Sequence, residues 1–320
     1  MIIQKDLNGK VLGEFQSKAA AARAVGIDEA SIRRSIKFGR KVFGKFKYYI
    51  SDDVLAHTSV NKSKAKILLF DSETSPLLAM VFQKQVWKAK IGYDKVVSDY
   101  YFLSWAAKWL GDNAVMSDVL TPEEALKEDD SRIIRSLWKL IDEADVVIAH
   151  NCAFDIPNFN TRSVKHGLMP PSPYKIVDTL KTAQQQFGFT HNSLGALAKF
   201  FDLEGKIETD FGLWKGCISG DEDSLFIMET YNVQDVVVLE NVFLKLRPYM
   251  RGFPNLDLYT DDAEPSCPHC GSKHIELIKD KFFYTQSVKY ETYRCECGAI
   301  SRSKTGLKFD NKKQVSAIPR

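Results

Sequence analysis

Four acidic residues and one tyrosine stand where their side chains could share a task. Asp71 and Glu73 sit at the exit of the apolar run KILLFD, and residues two apart on a strand point to one face. Two carboxylates side by side at the end of a hydrophobic strand repel each other, so something positive is expected between them. Asp155 follows a second apolar run, in VVIAHNCAFD. Tyr231 and Asp235, in YNVQD, are four apart and so neighbours on one helical face. Each has a plainer reading taken singly: a solvated strand-end pair, a helix N-cap for Asp155, a surface acid for Asp235. Taken as a set, hard carboxylate oxygens suit Mg²⁺ or Mn²⁺. A pair of such ions can both activate a water and stabilise a leaving oxygen, which is what phosphodiester hydrolysis needs.

A second set is made of sulfur. Of six cysteines, Cys152 and Cys217 stand alone, while Cys267 and Cys270 (CPHC) and Cys295 and Cys297 (CEC) form two pairs separated by 24 residues. In a reducing compartment, paired thiols suggest one structural Zn²⁺ in a Cys₄ site rather than disulfides. C-x-x-C followed by Gly271 resembles a zinc-ribbon knuckle. The second pair departs from that pattern, and His269 or His274 could replace one thiolate.

The elements needed to position these groups are legible in outline. KILLFD and DVVIAHN read as buried strands, DKVVSDYYFLSW and NAVMSDVL as further strands, and YKIVDTL as a short one. Thr121-Pro122-Glu123-Glu124 is a capping box, expected to open a helix that runs to about Glu143. Helices are expected over Asp155–His166 (stopped by Gly167), Ser193–Phe201 and about Asp223–Leu246. The last has Leu225, Met228, Val236, Leu239 and Phe243 at core spacing. Strands alternating with helices imply an α/β layer with a mixed sheet. Residues 1–50 read as a small module: a hairpin turning at Asn8-Gly9, a helix after Ser17 that ends at Gly26, and a helix from Asp28 to Phe38, in helix-turn-helix organisation. Residues 51–65 and 251–266 read as linkers flanking a domain over 66–250, with a small cysteine-bearing unit and basic tail over 267–320.

The order D-x-E on a first strand, H-N-x-x-x-F-D after a later strand and Y-x-x-x-D on a final helix resembles the DEDD superfamily of proofreading-type 3'→5' exonucleases, in its tyrosine branch. The resemblance covers residues 66–250, including VDTL (177–180) and SLGALAKFF (193–201). It implies a ribonuclease H-like fold and two Mg²⁺ or Mn²⁺ ions. Asp71 would bridge both ions, Glu73 and Asp235 would complete the water-activating site, and Asp155 would help hold the second ion. Tyr231 would orient the water, since a phenol with an ordinary pKa near ~10 is a poor base at neutral pH. Asn151 and Phe154 match positions near the terminal nucleotide in relatives, although Phe154 reads as core packing ahead of base stacking. His150 reads as a hydrogen-bonded strand-end histidine. The histidine branch carries its base five residues before the last Asp, where this chain has Thr230.

The segment FQSKAAAARAVGIDEASIRRSIKFGRKVFGKFKYY (15–49) resembles the nuclease-associated modular domain, type one. Ser31, Arg33, Arg34 and Lys37 would lie on or flank the exposed side of the second helix, within reach of a major groove. Arg40 and Lys41 open a tail in which basic and aromatic residues interleave, suited to backbone contact. Charge follows the same division. Residues 1–66 carry 14 Lys/Arg against 6 Asp/Glu, residues 67–250 carry 18 against 26, and residues 251–320 carry 12 against 9. A basic head suits a polyanion, and an acidic middle approaches phosphates only when cations cover its carboxylates.

No apolar run approaches the ~20 residues of a membrane span, and the opening MIIQKDLNGK lacks a signal-peptide core, so a cytoplasmic setting is expected, with a phage or mobile-element origin suggested by resemblance. The expected activity is a DNA 3'→5' exonuclease acting on single-stranded 3' ends, with duplex contact through the head. The alternatives are an exoribonuclease with the same site, and a DNA-binding protein whose nuclease fold is only a scaffold.

Overall fold

The computed structural model describes residues 2–6, 11–15, 18–25, 46–50, 63–82, 90–203, 209–260 and 264–307. The chain divides into two compact units, Met1–Thr58 and Ser59–Arg320.

In the first unit, β1 (Ile2–Asp6) pairs antiparallel with β2 (Val11–Phe15), which is the expected hairpin, and α1 (Lys18–Val25) follows with Ala21 and Ala22 buried. FKYY closes the stretch GRKVFGKFKYY, a tail expected to suit backbone contact, with no strand expected there. It forms instead β3 (Phe46–Ile50), which pairs with the other edge of β1. The segment is aromatic-rich and suits a strand, and it covers a row of amide and carbonyl groups that β1 would otherwise leave open. The Asn8-Gly9 turn and the second expected helix, with Ser31, Arg33, Arg34, Lys37, Arg40 and Lys41, lie outside the described residues.

The second unit is built on a five-stranded mixed sheet. Its strands in chain order are β4 (Ile67–Thr74), β7 (Phe102–Trp109), β8 (Met116–Val119), β9 (Val146–Ala149) and β10 (Lys175–Asp178). Their spatial order is β10-β9-β4-β7-β8, with β4 in the centre. A separate two-stranded ribbon, β5 (Leu78–Ala79) with β6 (Val96–Ser98), lies between β4 and β7 in the chain. β4 runs parallel to β9 and antiparallel to β7. This mixed α/β sheet flanked by helices is the expected class, and its strand order is compatible with a ribonuclease H-like fold.

Alternation along β4 sends its side chains into two buried layers. Ile67 and Leu69 share one core with Val236, Leu239, Val242 and Phe243, and Leu68 and Phe70 share the other with Ile133, Ile134, Leu137 and Phe159. Both layers are apolar because the strand is covered on both faces, which is why KILLFD reads as a continuous run rather than an alternating one. Pairing of β4 with β9 ends at Leu69–Ile148, whereas pairing with β7 continues through Asp71–Ala106 and Glu73–Ser104. Beyond Leu69, β4 therefore has a strand on one side only. The carboxyl ends of the parallel strands β4, β9 and β10 open together, the usual place for a site in such sheets.

The helical layer departs from expectation in three places. The helix expected to run from the capping box to Glu143 is two helices, α2 (Pro122–Leu126) and α3 (Ser131–Glu143). The break delivers Asp130 to the interior. Its carboxylate is fully buried and accepts from the Phe102 amide (2.9 Å), from both Arg162 Nε and Nη2 (2.7 Å each) and from His166 Nε2 (2.5 Å). A buried charge needs such partners; Asp130 stands at the N-cap of α3, two residues after Glu128 at φ 54°. α4 (Cys152–Lys165) begins three residues earlier than expected, so Asp155 is in its first turn rather than its cap. The helix is followed by Gly167 at φ 69°, as expected of a glycine stop. Two helices were not foreseen: α5 (Thr179–Gln186), capped by Asp178, and α7 (Phe211–Ile218), capped by Asp210. α6 (Leu194–Phe200), capped by Ser193, and the long α8 (Glu222–Leu246) match expectation.

The cysteine-bearing residues fold as a three-stranded antiparallel sheet, β11 (Ile275–Tyr284), β12 (Lys289–Cys295) and β13 (Ile300–Arg302). The Leu256 amide donates to the Pro268 carbonyl (2.9 Å), and the His269 ring stacks on Phe253 at 5.3 Å. The first cysteine pair is thereby fastened to the chain that leaves α8. Among the described residues, no helix is long and apolar enough to cross a membrane.

Candidate metal centres

β4 and α8 bring Asp71, Glu73 and Asp235 together. A carboxylate oxygen from each lies within 4.8 Å of the others. Asp71 and Glu73 are half-buried at the strand exit, and Asp235 is buried on the helix face that packs on the sheet. Three like charges this close repel strongly in a partly dry setting, and a cation among them removes the repulsion. The donor set, all carboxylate oxygen, fits Mg²⁺ or Mn²⁺. Half-exposure of two ligands leaves room for water and substrate.

Tyr231 lies one turn before Asp235 and hydrogen-bonds to it. Burial first, then the charges of Asp235 and Glu73, hold its hydroxyl well above the ordinary phenol range. The side chain is a fixed neutral donor, suited to orienting a ligand and unsuited to taking a proton.

Asp155 is not a member of the three-carboxylate group. It approaches β4 from the other face, where its Oδ1 accepts from Ser72 Oγ at 2.7 Å. Ser72 stands between Asp71 and Glu73 in the chain, so the fourth carboxylate contacts the strand one residue from both. Burial pushes the Asp155 carboxyl up to about 7, against the lowering effect of Ser72, and the nearby Asp178 adds to the rise. Asp178 was missed as a site neighbour. It caps α5, accepts from the Asn151 amide (3.2 Å), and keeps a buried Oδ2 with no hydrogen-bond partner.

Asn151 is in the left-handed region (φ 79°), where the chain turns sharply from β9 into α4. Phe154 is 45 % exposed, contrary to the core-packing expectation. Because α4 starts at Cys152, its inner face is Cys152, Asp155, Ile156 and Phe159, and Phe154 falls on the outer one. His150 is the expected hydrogen-bonded histidine, with Nδ1 at 2.9 Å from Thr179 Oγ1 and Nε2 at 2.8 Å from the Asn192 carbonyl.

Sequence reading also missed two residues beside Asp71. Asn232, fully buried, donates from Nδ2 to Asp71 Oδ2 (2.6 Å), and Ser104 Oγ, also fully buried, donates to Asn232 Oδ1 (3.1 Å). The signal was present: Asn232 falls on the core stripe between Met228 and Val236, a polar residue in an apolar row.

The four thiols Cys267, Cys270, Cys295 and Cys297 are buried, each within 4.8 Å of the rest. Cys267 Sγ lies 3.8 Å from Cys297 Sγ, and Cys270 Sγ lies 3.6 Å from Cys295 Sγ. Those distances are far from a ~2.05 Å disulfide and close to the edge of a tetrahedron, about 3.8 Å, whose centre is ~2.3 Å from each sulfur. The shorter second pair works because it folds like the first. The Gly271 amide donates to the Cys267 carbonyl (2.8 Å) and the Gly298 amide to the Cys295 carbonyl (2.9 Å), with φ 75° and 86°. Burial raises the Cys295 thiol to about 12, and hydrogen bonds with Cys270 and Cys297 raise Cys267 further. Thiolates in this cage need a cation among them. His269 is not required as a ligand: the four thiols already make a tetrahedral set, and its Nε2 meets the Met250 carbonyl at 3.3 Å.

Residues 2–36 match the NUMOD1 domain, a nuclease-associated modular, helix-turn-helix DNA-binding domain. No curated protein matches the chain. The match covers the head alone; it implies a nucleic-acid-binding, nuclease-associated module at the N-terminus, consistent with DNA as a partner.

Proposed function

We propose that the second unit is a metal-dependent 3'→5' exonuclease that shortens DNA from single-stranded 3' ends, delivered to its substrate by the N-terminal DNA-binding module. The observation that carries this reading is the convergence of Asp71, Glu73 and Asp235, with Tyr231 bonded to Asp235, at the open carboxyl end of β4. Bound Mg²⁺ or Mn²⁺ would supply an activated water and neutralise charge on the scissile phosphate. Asp71, Glu73 and Asp235 would hold the ions. Asp155, protonated or bonded to Ser72 in their absence, would turn to the second position. The Tyr231 hydroxyl, whose proton is given to Asp235, would orient the water by accepting a hydrogen bond from it, without changing its own protonation. A structural Zn²⁺ would close the Cys267–Cys270–Cys295–Cys297 cage.

The DNA-binding head favours DNA over RNA as substrate. The intact carboxylate set favours a working enzyme over an inert scaffold. The test is digestion of matched 5'-labelled single-stranded DNA and RNA, with and without Mg²⁺. The expected result is a Mg²⁺-dependent ladder of DNA shortened from the 3' end, reduced by at least ~10²-fold in Asp71→Ala and Asp235→Ala, the scale of losing one preorganised electrostatic group. Degradation of RNA alone would overturn the substrate assignment. Undiminished DNA digestion by both variants would overturn the site.

A further inference from the structure

We infer that Asn232, held by Ser104, is a positioning residue that presents Asp71 to the divalent cation. The inference rests on the metal-site reading above and goes further by assigning a role to two residues outside the ligand set.

Asn232 is wholly buried, so both ends of its amide need partners. Nδ2 donates to Asp71 Oδ2 at 2.6 Å, and Oδ1 accepts from the Ser104 hydroxyl at 3.1 Å. Turning the amide over would set its carbonyl oxygen against a carboxylate oxygen, acceptor against acceptor. Asp71, which can only accept, therefore selects the orientation in which Asn232 donates to it, and the Ser104 hydroxyl holds the other end of the amide by donating to Oδ1. Ser104 is itself fixed, because its backbone is the β7 partner of Glu73 in the β4 ladder. The contacts close a loop from β4 to β7, across to α8, and back to β4. Asp235 lies on the same helix, three residues beyond Asn232. The loop thus sets two of the three ligand-bearing segments at one distance from each other.

The consequence is directional. The bond to Oδ2 restrains rotation of the Asp71 carboxylate. It also offsets part of the negative charge where three carboxylates meet. Such outer contacts to a metal ligand change affinity by about 10- to 100-fold when removed. The chain carries a polar residue on the core stripe of its longest helix for this contact, where leucine would satisfy packing alone.

The experiment is Mn²⁺ binding to the full-length, zinc-loaded protein, read by the paramagnetic resonance signal of free Mn²⁺, with no substrate present. Thermal melting runs in parallel. Wild type is expected to bind Mn²⁺ in a manner lost in Asp71→Ala. Asn232→Leu is expected to weaken that binding about 10- to 100-fold, and Ser104→Ala to weaken it by a smaller factor while melting within a few degrees of wild type. With substrate, both variants should need more Mg²⁺ for half-maximal rate and recover most of the rate at saturating Mg²⁺. Mn²⁺ affinity unchanged in Asn232→Leu overturns the inference. If Asn232→Leu does not fold, Ser104→Ala decides: weakened binding supports it and unchanged binding overturns it. Absence of any Asp71-dependent Mn²⁺ binding in wild type would instead remove the metal-site reading, and this inference with it.

Discussion

The two clusters of the second unit gather potential ligands in opposite ways. The cysteine cage is drawn from two short turns 24 residues apart. All four sulfurs are buried, and each turn is closed by a glycine amide bonded to the first cysteine's carbonyl. The carboxylate cluster joins residues more than 160 positions apart, from the middle strand of the sheet and the last long helix, and two of its three members are half-exposed. A closed sulfur cage with no outlet suits a structural ion. An open oxygen site with room beside it suits an ion that must also meet water and substrate. The difference teaches where the stability lies. The cage residues have little apolar core of their own, since among the described residues the buried group around the thiols adds only Ala299 and a half-buried Ile275. The carboxylates stand on two large apolar layers that would fold without any ion.

The contrast predicts opposite signs when ligands are removed. Cys270→Ser should produce the largest effect, because structural zinc contributes on the order of 10 kcal/mol to small sites of this kind. Zinc content should fall, and amide exchange across residues 275–302 should lose its protection while the sheet around β4 keeps its own. Retained protection with no zinc bound would dissolve the distinction between the two clusters.

A smaller effect belongs to Asp155. Its carboxyl is pushed up to about 7 by burial, while in the unfolded chain it ionises near the ordinary ~3.9. Between these values the folded state binds the extra proton, so stability of the Mg²⁺-free protein should decline as pH rises from about 4 to 7, by roughly 2–4 kcal/mol at most. Asp155→Asn should flatten that decline. Urea denaturation at pH 5, 6, 7 and 8 measures it, and parallel profiles for the two proteins would show that Asp155 is not the source.

The smallest effect concerns Glu73. Glu73→Gln removes one of three mutually repelling charges, and should stabilise the Mg²⁺-free protein by on the order of 1 kcal/mol while abolishing the rise in melting temperature expected when Mg²⁺ is added to wild type. Destabilisation in Mg²⁺-free buffer would mean that the glutamate is held by favourable contacts rather than strained by its neighbours.

Much of this was legible in the amino-acid order. KILLFD and DVVIAHN announced buried strands because a strand covered on both faces must be apolar throughout, and the spacing of Leu225, Met228, Val236, Leu239 and Phe243 announced the long helix. The pairing of the cysteines, the D-x-E spacing on one strand face and the Tyr231–Asp235 turn were local facts, set by periodicity within single elements. What lay beyond reach was every contact made between elements. The burial of Asp130 at the start of α3 depends on its meeting Arg162 and His166. The exposure of Phe154 depends on where α4 begins. The placement of Asp155 against Ser72 rather than among the other three carboxylates depends on which face of β4 the helix α4 covers.

The sequence by itself thus determined which groups this protein could offer to a cation and which elements carry them, because residue type and periodicity are properties of short stretches of chain. Only the tertiary structure decided which oxygens meet, which face each acid approaches from, and that Ser104 and Asn232 stand behind Asp71. Those are distances across the sheet, fixed by how strand and helix pack, and no local pattern encodes them.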